Sequence, residues 1–294
     1  MTASSDTLTR IAFALLGLVI LFTLTAPLLS PWSADQIDWH AIEAPPTASH
    51  WFGTDLVGRD LWTRAALAGQ TSLGVATTAT TVSVVIGILW GAFAGLVGGK
   101  TDALMMRFVD ILYGLPFILV VILLVVVFGR DPYLLFAGLG AVFWLDLARI
   151  VRARTLQIRG AAYIESARLC GASTLSIVRR HVLRNVAGPT LAWTTLTLPG
   201  VILAESFVSF LGLGVQEPST SWGILIADGV QAIESAPWSL LVPAALLMTT
   251  AWSIGLVGDH LRDRLDPLYR NVTGGPALRH ARATEPRPNQ GNPT

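Results

Sequence analysis

The sequence predicts an all-α, polytopic membrane protein with about six transmembrane helices. Of its 294 residues, 52% are hydrophobic and only 13% are charged, whereas a soluble domain carries about 25% charged residues. A charge content this low cannot cover a water-exposed surface, so lipid must surround much of the chain. The hydrophobic residues also group into stretches of membrane-spanning length, with basic residues collected between alternate stretches.

Six apolar stretches are long enough, or nearly so, to cross about 30 Å of hydrocarbon at about 1.5 Å per residue. They cover residues 11–29, 73–97, 108–128, 133–147, 186–211 and 238–257. The first follows Arg10 as a signal peptide would, but its apolar run exceeds the usual length of roughly 7–15 residues. Because Thr25-Ala26-Pro27 also offers no cleavage site, we expect an uncleaved anchor at residues 11–30.

Lysine and arginine residues indicate the orientation, because cytoplasmic loops retain positive charge. With residues 1–10 inside, all of the 20 basic residues except Arg59, Arg64 and Arg130 fall on the cytoplasmic side. Both termini are therefore expected in the cytoplasm, with the chain in a bacterial inner membrane.

The spans divide the chain into segments. Residues 31–72 form an extracytoplasmic segment, and residues 73–270 form the membrane core, with an arginine-rich cytoplasmic loop at 151–185. Residues 271–294 mix Gly, Pro, Arg and Asn with little apolar content. Such a segment cannot bury enough surface to order itself, so we predict a disordered cytoplasmic tail.

No motif in the sequence predicts catalysis or metal binding. Cys170 is the only cysteine, and the five histidines form no HExxH or HxxxH pair. Gly98-Gly99-Lys100-Thr101 resembles the end of a phosphate-binding loop, but that motif needs glycine where Ala94 stands, and it must follow a strand. We therefore predict no enzyme activity and no metal or cofactor bound by this chain.

Gly87, Gly91 and Gly95 recur at every fourth position of the second predicted span. Four residues are slightly more than one helical turn, so the three glycines lie on one face, called the glycine face below. In a membrane, a face without side chains lets a second helix approach closely. The glycine face is therefore predicted to be a helix-packing site.

Glu205, Pro116 and Pro199 are candidates for a translocation path or gate. An ionised carboxylate within a span costs roughly 2.5–3.5 kcal/mol, so Glu205 must be protonated, hydrogen-bonded or turned to a watery cavity. The two prolines each remove a backbone hydrogen bond and can kink the third and fifth spans. A structural interpretation stays open, because a lone carboxylate is a poor proton relay and prolines also occur in static bundles.

The most specific local pattern lies in the 151–185 loop. Residues 163–170 indicate a short helix, Gly171 its stop and Ser173 the N-cap of a second helix. An apolar stripe follows at helical spacing: Leu175, Val178, Val182 and Val186. Three arginines flank the stripe: Arg179, Arg180 and Arg184. Two interpretations are open, an interfacial helix that holds anionic lipid headgroups and a compact projection that docks into a partner's groove.

The same loop resembles a known family. Glu165-Ser166-Ala167, followed after three residues by Gly171, is similar to the EAA loop of binding-protein-dependent ABC importer permeases. Further motifs, between about residues 50 and 270, resemble the C-type subunit of the oligopeptide/dipeptide permease family. These are His50-Trp51-Phe52-Gly53-Thr54-Asp55, Gly58-Arg59-Asp60, Met106-Arg107 with Asp110 and Pro116, Ser209-Phe210-Leu211-Gly212-Leu213-Gly214, Pro218, and Ser221-Trp222-Gly223.

Two residues depart from that family's pattern. Ser166 replaces an alanine, which exchanges one small residue for another. Arg184 follows Leu183 where the pattern usually closes with Leu-Pro. Without that proline, the second helix of the loop should run more continuously into the fifth span.

The resemblance implies an importer-permease (MetI-like) fold of six helices that pairs with a homologous second permease subunit. Two cytosolic ATPase subunits would bind ATP and Mg²⁺, and an extracytoplasmic solute-binding protein would deliver the solute. The ATPase-coupling residues it implies are Glu165, Ser166, Ala167, Gly171, Ala172 and Ser173. The outer-face residues, which would cap the mouth or meet the binding protein, are Trp51, Gly53, Asp55 and Arg59.

Alternative solutes and two other classes of function are compared with this interpretation. Family members most often carry di- and oligopeptides, and others carry nickel, glutathione or opine-like solutes. An ion-coupled secondary transporter should have several ionisable groups within its spans, whereas Glu205 is nearly alone. An intramembrane enzyme would need a buried Ser/His, paired Asp or metal set, and no histidine lies in a predicted span.

Overall fold

A computed structural model describes residues 2–128 and 132–265, and the predicted tail at 271–294 lies outside these residues. The described chain is helical. Its helices are α1 (Thr2–Leu29), α2 (Leu61–Val97), α3 (Gly99–Tyr113), α4 (Phe117–Phe128), α5 (Pro132–Ile158), α6 (Ala162–Leu169), α7 (Thr174–Ile177), α8 (Leu183–Phe210), α9 (Trp222–Gln231) and α10 (Trp238–Leu265), with a π-helical turn at Val178–Val182 between α7 and α8.

Four helical stretches of the described residues are long and apolar enough to cross a membrane: Thr7–Leu29, Leu61–Val97, Thr174–Phe210 and Trp238–Asp263. They correspond to the first, second, fifth and sixth predicted spans. The fourth, at 133–147, is not among them and instead forms the first half of α5. The second half of α5 carries charged residues that lie beyond the predicted stretch, among them Arg149, Arg152 and Arg154.

The helix that contains the second predicted span begins earlier than that span, since α2 starts at Leu61 rather than at residue 73. The carboxylate of Asp60 accepts a hydrogen bond from the Thr63 N–H at 2.9 Å and so caps the first turn. The segment expected at 31–72 therefore includes the first turns of α2. The residues that precede this helix, 31–60, are called the 31–60 segment below.

The third predicted span, 108–128, is not one continuous helix. Tyr113 ends α3, Phe117 begins α4, and the two helix axes differ by 89°. The break falls at Gly114-Leu115-Pro116, where the proline cannot donate to the preceding turn and restricts the residue before it. Pro116 therefore ends a helix instead of kinking one, and α3 with α4 forms at most a broken span.

The glycine face packs against α5, as predicted. A Cβ atom on Gly87 would lie 2.9 Å from Leu147, and one on Gly95 would lie 2.7 Å from Thr155. At Gly91 it would lie 2.4 Å from the Ala148 carbonyl oxygen, an atom of the α5 backbone. The two backbones can approach this closely only because the side chains are missing.

The remaining helices pack around this pair in two main groups. The larger buried cluster is formed by apolar residues of α1, α2, α4, α5, α8, α9 and α10, with Trp222 of α9 completely covered. A second cluster joins α2 and α5 to α6, α7 and the start of α8. The second cluster fixes the position of the predicted loop relative to the spans.

The glycine face yields a first prediction. Gly91→Ala should destabilise the protein by about 1–3 kcal/mol, because the added methyl group meets backbone that cannot rotate away. Gly74→Ala is the matched control in the same helix, since a Cβ there would meet nothing within 4 Å and alanine has the higher helix propensity. Thermal unfolding in detergent measures both variants, and equal unfolding temperatures would contradict the packing described here.

Candidate functional site

The loop of predicted coupling residues forms a helix-turn-helix, residues 162–182. The first helix, α6, ends in a Schellman motif: the Ala172 N–H donates to the Ala167 carbonyl at 3.0 Å and the Gly171 N–H to the Arg168 carbonyl at 2.9 Å. Gly171 has φ +80°, a conformation that glycine adopts at little cost. The Ser173 hydroxyl then accepts from the Ser176 N–H and caps α7, so the predicted stop and cap are both confirmed.

Two isoleucines anchor the helix-turn-helix to the spans. Ile164 of α6 and Ile177 of α7 are buried in the second cluster, beside Leu96 of α2 and Val151 of α5. The Arg168 guanidinium also donates to the Leu96 carbonyl at 3.2 Å, which satisfies an acceptor at the C-terminal end of α2. The helix-turn-helix is therefore fixed to α2 and α5 on one side.

The opposite side of the turn faces outward. Four of the six predicted coupling residues are exposed, namely Glu165, Ser166, Gly171 and Ser173, while Ala167 and Ala172 are half-buried against the second cluster. Cys170 is exposed as well. Leu169, which is not one of the six predicted coupling residues, is 89% exposed at the end of α6. The structure thus brings the six residues together around a turn with an apolar tip.

The predicted apolar stripe was wrong at its first position. Val178, Val182 and Val186 are buried, but Leu175 is 71% exposed. The π-helical turn at Val178–Val182 changes the register, so that a residue before it no longer shares a face with those after it. The helical run nevertheless continues from Thr174 to Phe210, as expected of a sequence with Arg184 in place of proline.

Several arginines in and before the loop contact the protein itself. The Arg152 guanidinium donates to both Asp102 carboxylate oxygens, at 2.6 Å for the Nη2 contact, and Arg149 donates to Asp110 at 2.9 Å. Both pairs tie α5 to α3, and paired guanidinium groups of this kind are geometrically specific. The arginine pattern alone indicated only topology and lipid headgroups, because it carries no information about carboxylates 39 and 50 residues away in sequence.

Glu205, the intramembrane carboxylate, is 1% exposed and accepts hydrogen bonds from three hydroxyl groups, one on α2 and two on α8. It accepts hydrogen bonds from Ser209 at 2.7 Å, from Ser72 of α2 at 2.9 Å and from Ser206 at 3.3 Å. The Ser72 hydroxyl also accepts from the Trp222 N–H at the start of α9. Glu205 is thus hydrogen-bonded inside the chain, where it joins α2, α8 and α9.

The two proline candidates lie on different elements. Pro116 stands in the break between α3 and α4, and Pro199 lies inside α8, which continues past it from Leu183 to Phe210. Pro199 shares α8 with Glu205, whereas Pro116 does not. The three gate candidates therefore do not form one constellation on a single helix.

The four predicted outer-face residues belong to the folded 31–60 segment. Asp55 accepts from the Arg59 and Val57 N–H groups and from the Arg59 guanidinium at 2.8 Å. Arg59 also donates to Glu217 at 2.6 Å, and this hydrogen bond holds the pKa of Glu217 below its ordinary value. Arg64 is buried 3.5 Å from Asp55. This charged group links the segment to the connection between α8 and α9.

Gly53 and Trp51 fit the same segment onto its neighbours. Gly53 has φ +77°, and a Cβ atom there would lie 2.7 Å from the Trp238 indole nitrogen. That nitrogen donates to the Thr54 carbonyl at 3.1 Å, which seats the segment on the start of α10. Trp51 packs edge-on against Trp62, with ring centroids 4.7 Å apart, and stays half-exposed.

Several residues of these sites were not among the predicted site residues: Ser72, Asp102, Leu169 and Glu217. Ser72 could have been found, because it continues the row of small residues that leads through Ala76 and Ser83 to the glycine face. No such pattern marks the others. Within the residues that the structure describes, no group of three or more His, Cys, Asp or Glu residues could hold a metal ion.

Glu205 yields a second prediction. Ser72→Ala should destabilise the protein by about 1–3 kcal/mol, because the Trp222 N–H loses its partner and the buried Glu205 Oε2 keeps only the longer hydrogen bond from Ser206. Thr77→Ala is the control on the same helix, since its exposed hydroxyl bonds only to the Leu73 carbonyl of α2 and its loss should change stability by less than about 0.5 kcal/mol. The measurement is thermal unfolding in detergent. If Ser72→Ala were as stable as Thr77→Ala, the hydrogen bonds of Ser72 with Glu205 and Trp222 would not stabilise the fold.

Comparisons with known proteins identify the family. The model of the binding-protein-dependent transport system inner membrane component family matches residues 87–271. The chain is 46% identical over 258 residues to the oligopeptide transport system permease protein OppC of Haemophilus influenzae, covering 87% of this chain and 83% of that protein.

Two further relatives agree. The OppC protein of Escherichia coli K12 is 47% identical over 257 residues, which cover 87% of this chain and 85% of that protein. The dipeptide transport system permease protein DppC of Bacillus subtilis is 41% identical over 263 residues, which cover 87% and 82%. The chain therefore belongs to the family of binding-protein-dependent transport system inner membrane components, as a multi-pass, non-catalytic permease subunit.

Proposed function

We propose that this chain is a permease subunit of an ATP-driven importer of di- and oligopeptides. The names of the relatives support this solute class, since they are oligopeptide and dipeptide permeases at 41–47% identity. Nickel, glutathione or another small solute is the alternative cargo for the same architecture. An ion-coupled secondary transporter is the less favoured mechanism, because Glu205 is buried and hydrogen-bonded within the chain.

Other subunits complete the proposed transporter. A homologous second permease subunit lies beside this chain, two ATPase subunits bind ATP and Mg²⁺ in the cytosol, and a solute-binding protein delivers the solute from outside. The distribution of lysine and arginine supports cytoplasmic termini and a cytoplasmic helix-turn-helix. The 31–60 segment then faces outward, where Trp51, Gly53, Asp55 and Arg59 contribute to contact with the binding protein or form a cap over the mouth.

The helix-turn-helix is the proposed contact with the ATPase subunits. Its exposed residues, among them Glu165 and Leu169, are free to enter a groove on the partner, and the Glu165 carboxylate suits a basic group or a helix N-terminus there. Its buried face is fixed to α2 and α5 through Ile164, Ile177 and Arg168. Closure of the ATPases would therefore move the spans with the loop, between inward and outward states.

Reconstitution tests the proposed function. The chain, its second permease, the ATPase subunits and the binding protein encoded beside it are placed in liposomes. ATP-dependent uptake of a labelled pentapeptide is then compared with uptake of nickel and of glutathione. Uptake of the peptide supports the proposal. Uptake of nickel or glutathione without uptake of the peptide would assign that solute as the cargo instead. Uptake by the lone chain, driven by an ion gradient, would overturn it.

Gly171 provides a third prediction. Gly171→Val should abolish most uptake and coupled ATP hydrolysis, because a β-branched residue at φ +80° costs about 1–3 kcal/mol and disturbs the turn. Gly171→Asn is the matched control, since asparagine tolerates this conformation and a Cβ there meets nothing within 4 Å. Solute capture by the binding protein should stay normal in both variants.

Leu169→Gln tests the same contact with the ATPase subunits and is used if Gly171→Val does not fold. Leu169 is 89% exposed, so the substitution should leave the unfolding temperature unchanged while it weakens association with the ATPase subunits. Leu169→Met keeps the apolar tip and should retain association. Normal uptake in both Gly171→Val and Leu169→Gln would exclude the helix-turn-helix as the coupling contact.

A further inference from the structure

A basic cleft lies where the helix-turn-helix joins α8. Its volume is about 290 Å³, and its lining residues are Ser176, Arg179, Arg180 and Arg184. All four are exposed, and no carboxylate lines the cleft. Arg149 and Arg152 pair with aspartates, whereas no such pair involves the three cleft arginines within the described part of the chain. Their positive charge is thus available to an external anion.

An apolar cleft adjoins the basic one. It has a volume of about 380 Å³ and shares Ser176 and Arg179 with its neighbour. Its other lining residues are Leu89, Ser173, Leu175, Val178 and Leu183. Leu89 lies on α2, eight residues before Val97, which is about 12 Å along the helix axis. The paired clefts therefore combine a cationic end with an apolar end that reaches Leu89 of a candidate membrane span.

The π-helical turn explains why the arginines meet. Residues five apart in an α-helix lie on different faces, but the i→i+5 hydrogen bonds of a π-turn bring such residues nearly above one another. The turn covers Val178–Val182 and so brings Arg179 toward the side of Arg184. The same change of register exposes Leu175, which lines the apolar cleft. The π-helical turn thus contributes to the lining of both clefts.

We propose that the two clefts bind one anionic phospholipid, with its phosphodiester group against Arg179, Arg180 and Arg184. Guanidinium groups match phosphate oxygens in charge and geometry, and the Ser176 hydroxyl can donate a further hydrogen bond. An acyl chain lies in the apolar cleft beside Leu89 and Leu175. Free phosphate would use the basic cleft alone, and an acidic protein surface would need an apolar side chain to fill the second cleft as well. The combination is that of a lipid bound at the edge of the hydrocarbon.

Titration of the purified transporter tests the proposal. The complex is stripped of lipid in mild detergent and titrated with phosphatidylglycerol or phosphatidylcholine, and bound lipid is counted by native mass spectrometry. Phosphatidylglycerol should bind more tightly. Arg180→Gln with Arg184→Gln should weaken its binding roughly 25-fold, at about fivefold for each arginine near the surface. Leu175→Gln should also weaken it through the apolar cleft.

The control removes the same charge elsewhere. Arg107 and Arg154 are exposed on α3 and α5 and line neither cleft, so Arg107→Gln with Arg154→Gln should bind lipid as the unmodified protein does. All substituted residues are exposed, which keeps the unfolding temperatures alike. Equal loss in the control, or equal affinity for phosphatidylcholine, would overturn the site. Unchanged lipid binding with weaker ATPase association would assign the arginines to a protein contact instead.

Discussion

Along the glycine face, α5 comes so close to α2 that a methyl group on Gly91 would meet the Ala148 carbonyl oxygen at 2.4 Å. Lipid provides little hydrophobic driving force between helices, so dispersion contacts across such a seam hold a membrane fold together. Other contacts depend on this seam. Arg152 and Arg149 extend from α5 to the carboxylates of α3, and the second cluster receives Ile164 and Ile177. The position of the helix-turn-helix thus depends on the three glycines that let α5 approach α2.

The other end of α2 uses polar contacts for a similar purpose. Ser72 holds both Glu205 of α8 and the N–H of Trp222 at the start of α9. A buried carboxyl group with several hydroxyl donors avoids the cost of an unpaired polar group in an apolar interior. Hydrogen bonds of this kind have a direction, so they fix how α8 rotates about its axis, which apolar packing alone leaves free to adjust.

Much of this architecture follows from local sequence patterns. The glycine face, the stop at Gly171 and the cap at Ser173 were predictable because each depends on residues within one or two turns. The register of the π-helical turn and the pairing of Arg152 with Asp102 were not, because tertiary packing decides both. The break at Pro116 was predictable only in part, since proline predicts an interruption of the helix but not the angle of 89° between α3 and α4. The start of α2 was missed because Asp60 caps a helix whose first turns are less apolar than its middle.

The length of α2 connects the two functional regions. Its 37 residues make a rod of about 55 Å, which exceeds the hydrocarbon thickness of about 30 Å. Asp60 starts the rod beside the 31–60 segment, and the Leu96 carbonyl near its end accepts the hydrogen bond from Arg168. A tilt of one degree about one end displaces the other by about 1 Å. A small angular change at the helix-turn-helix would therefore displace Asp60, at the other end of α2, by a distance comparable to a bond length.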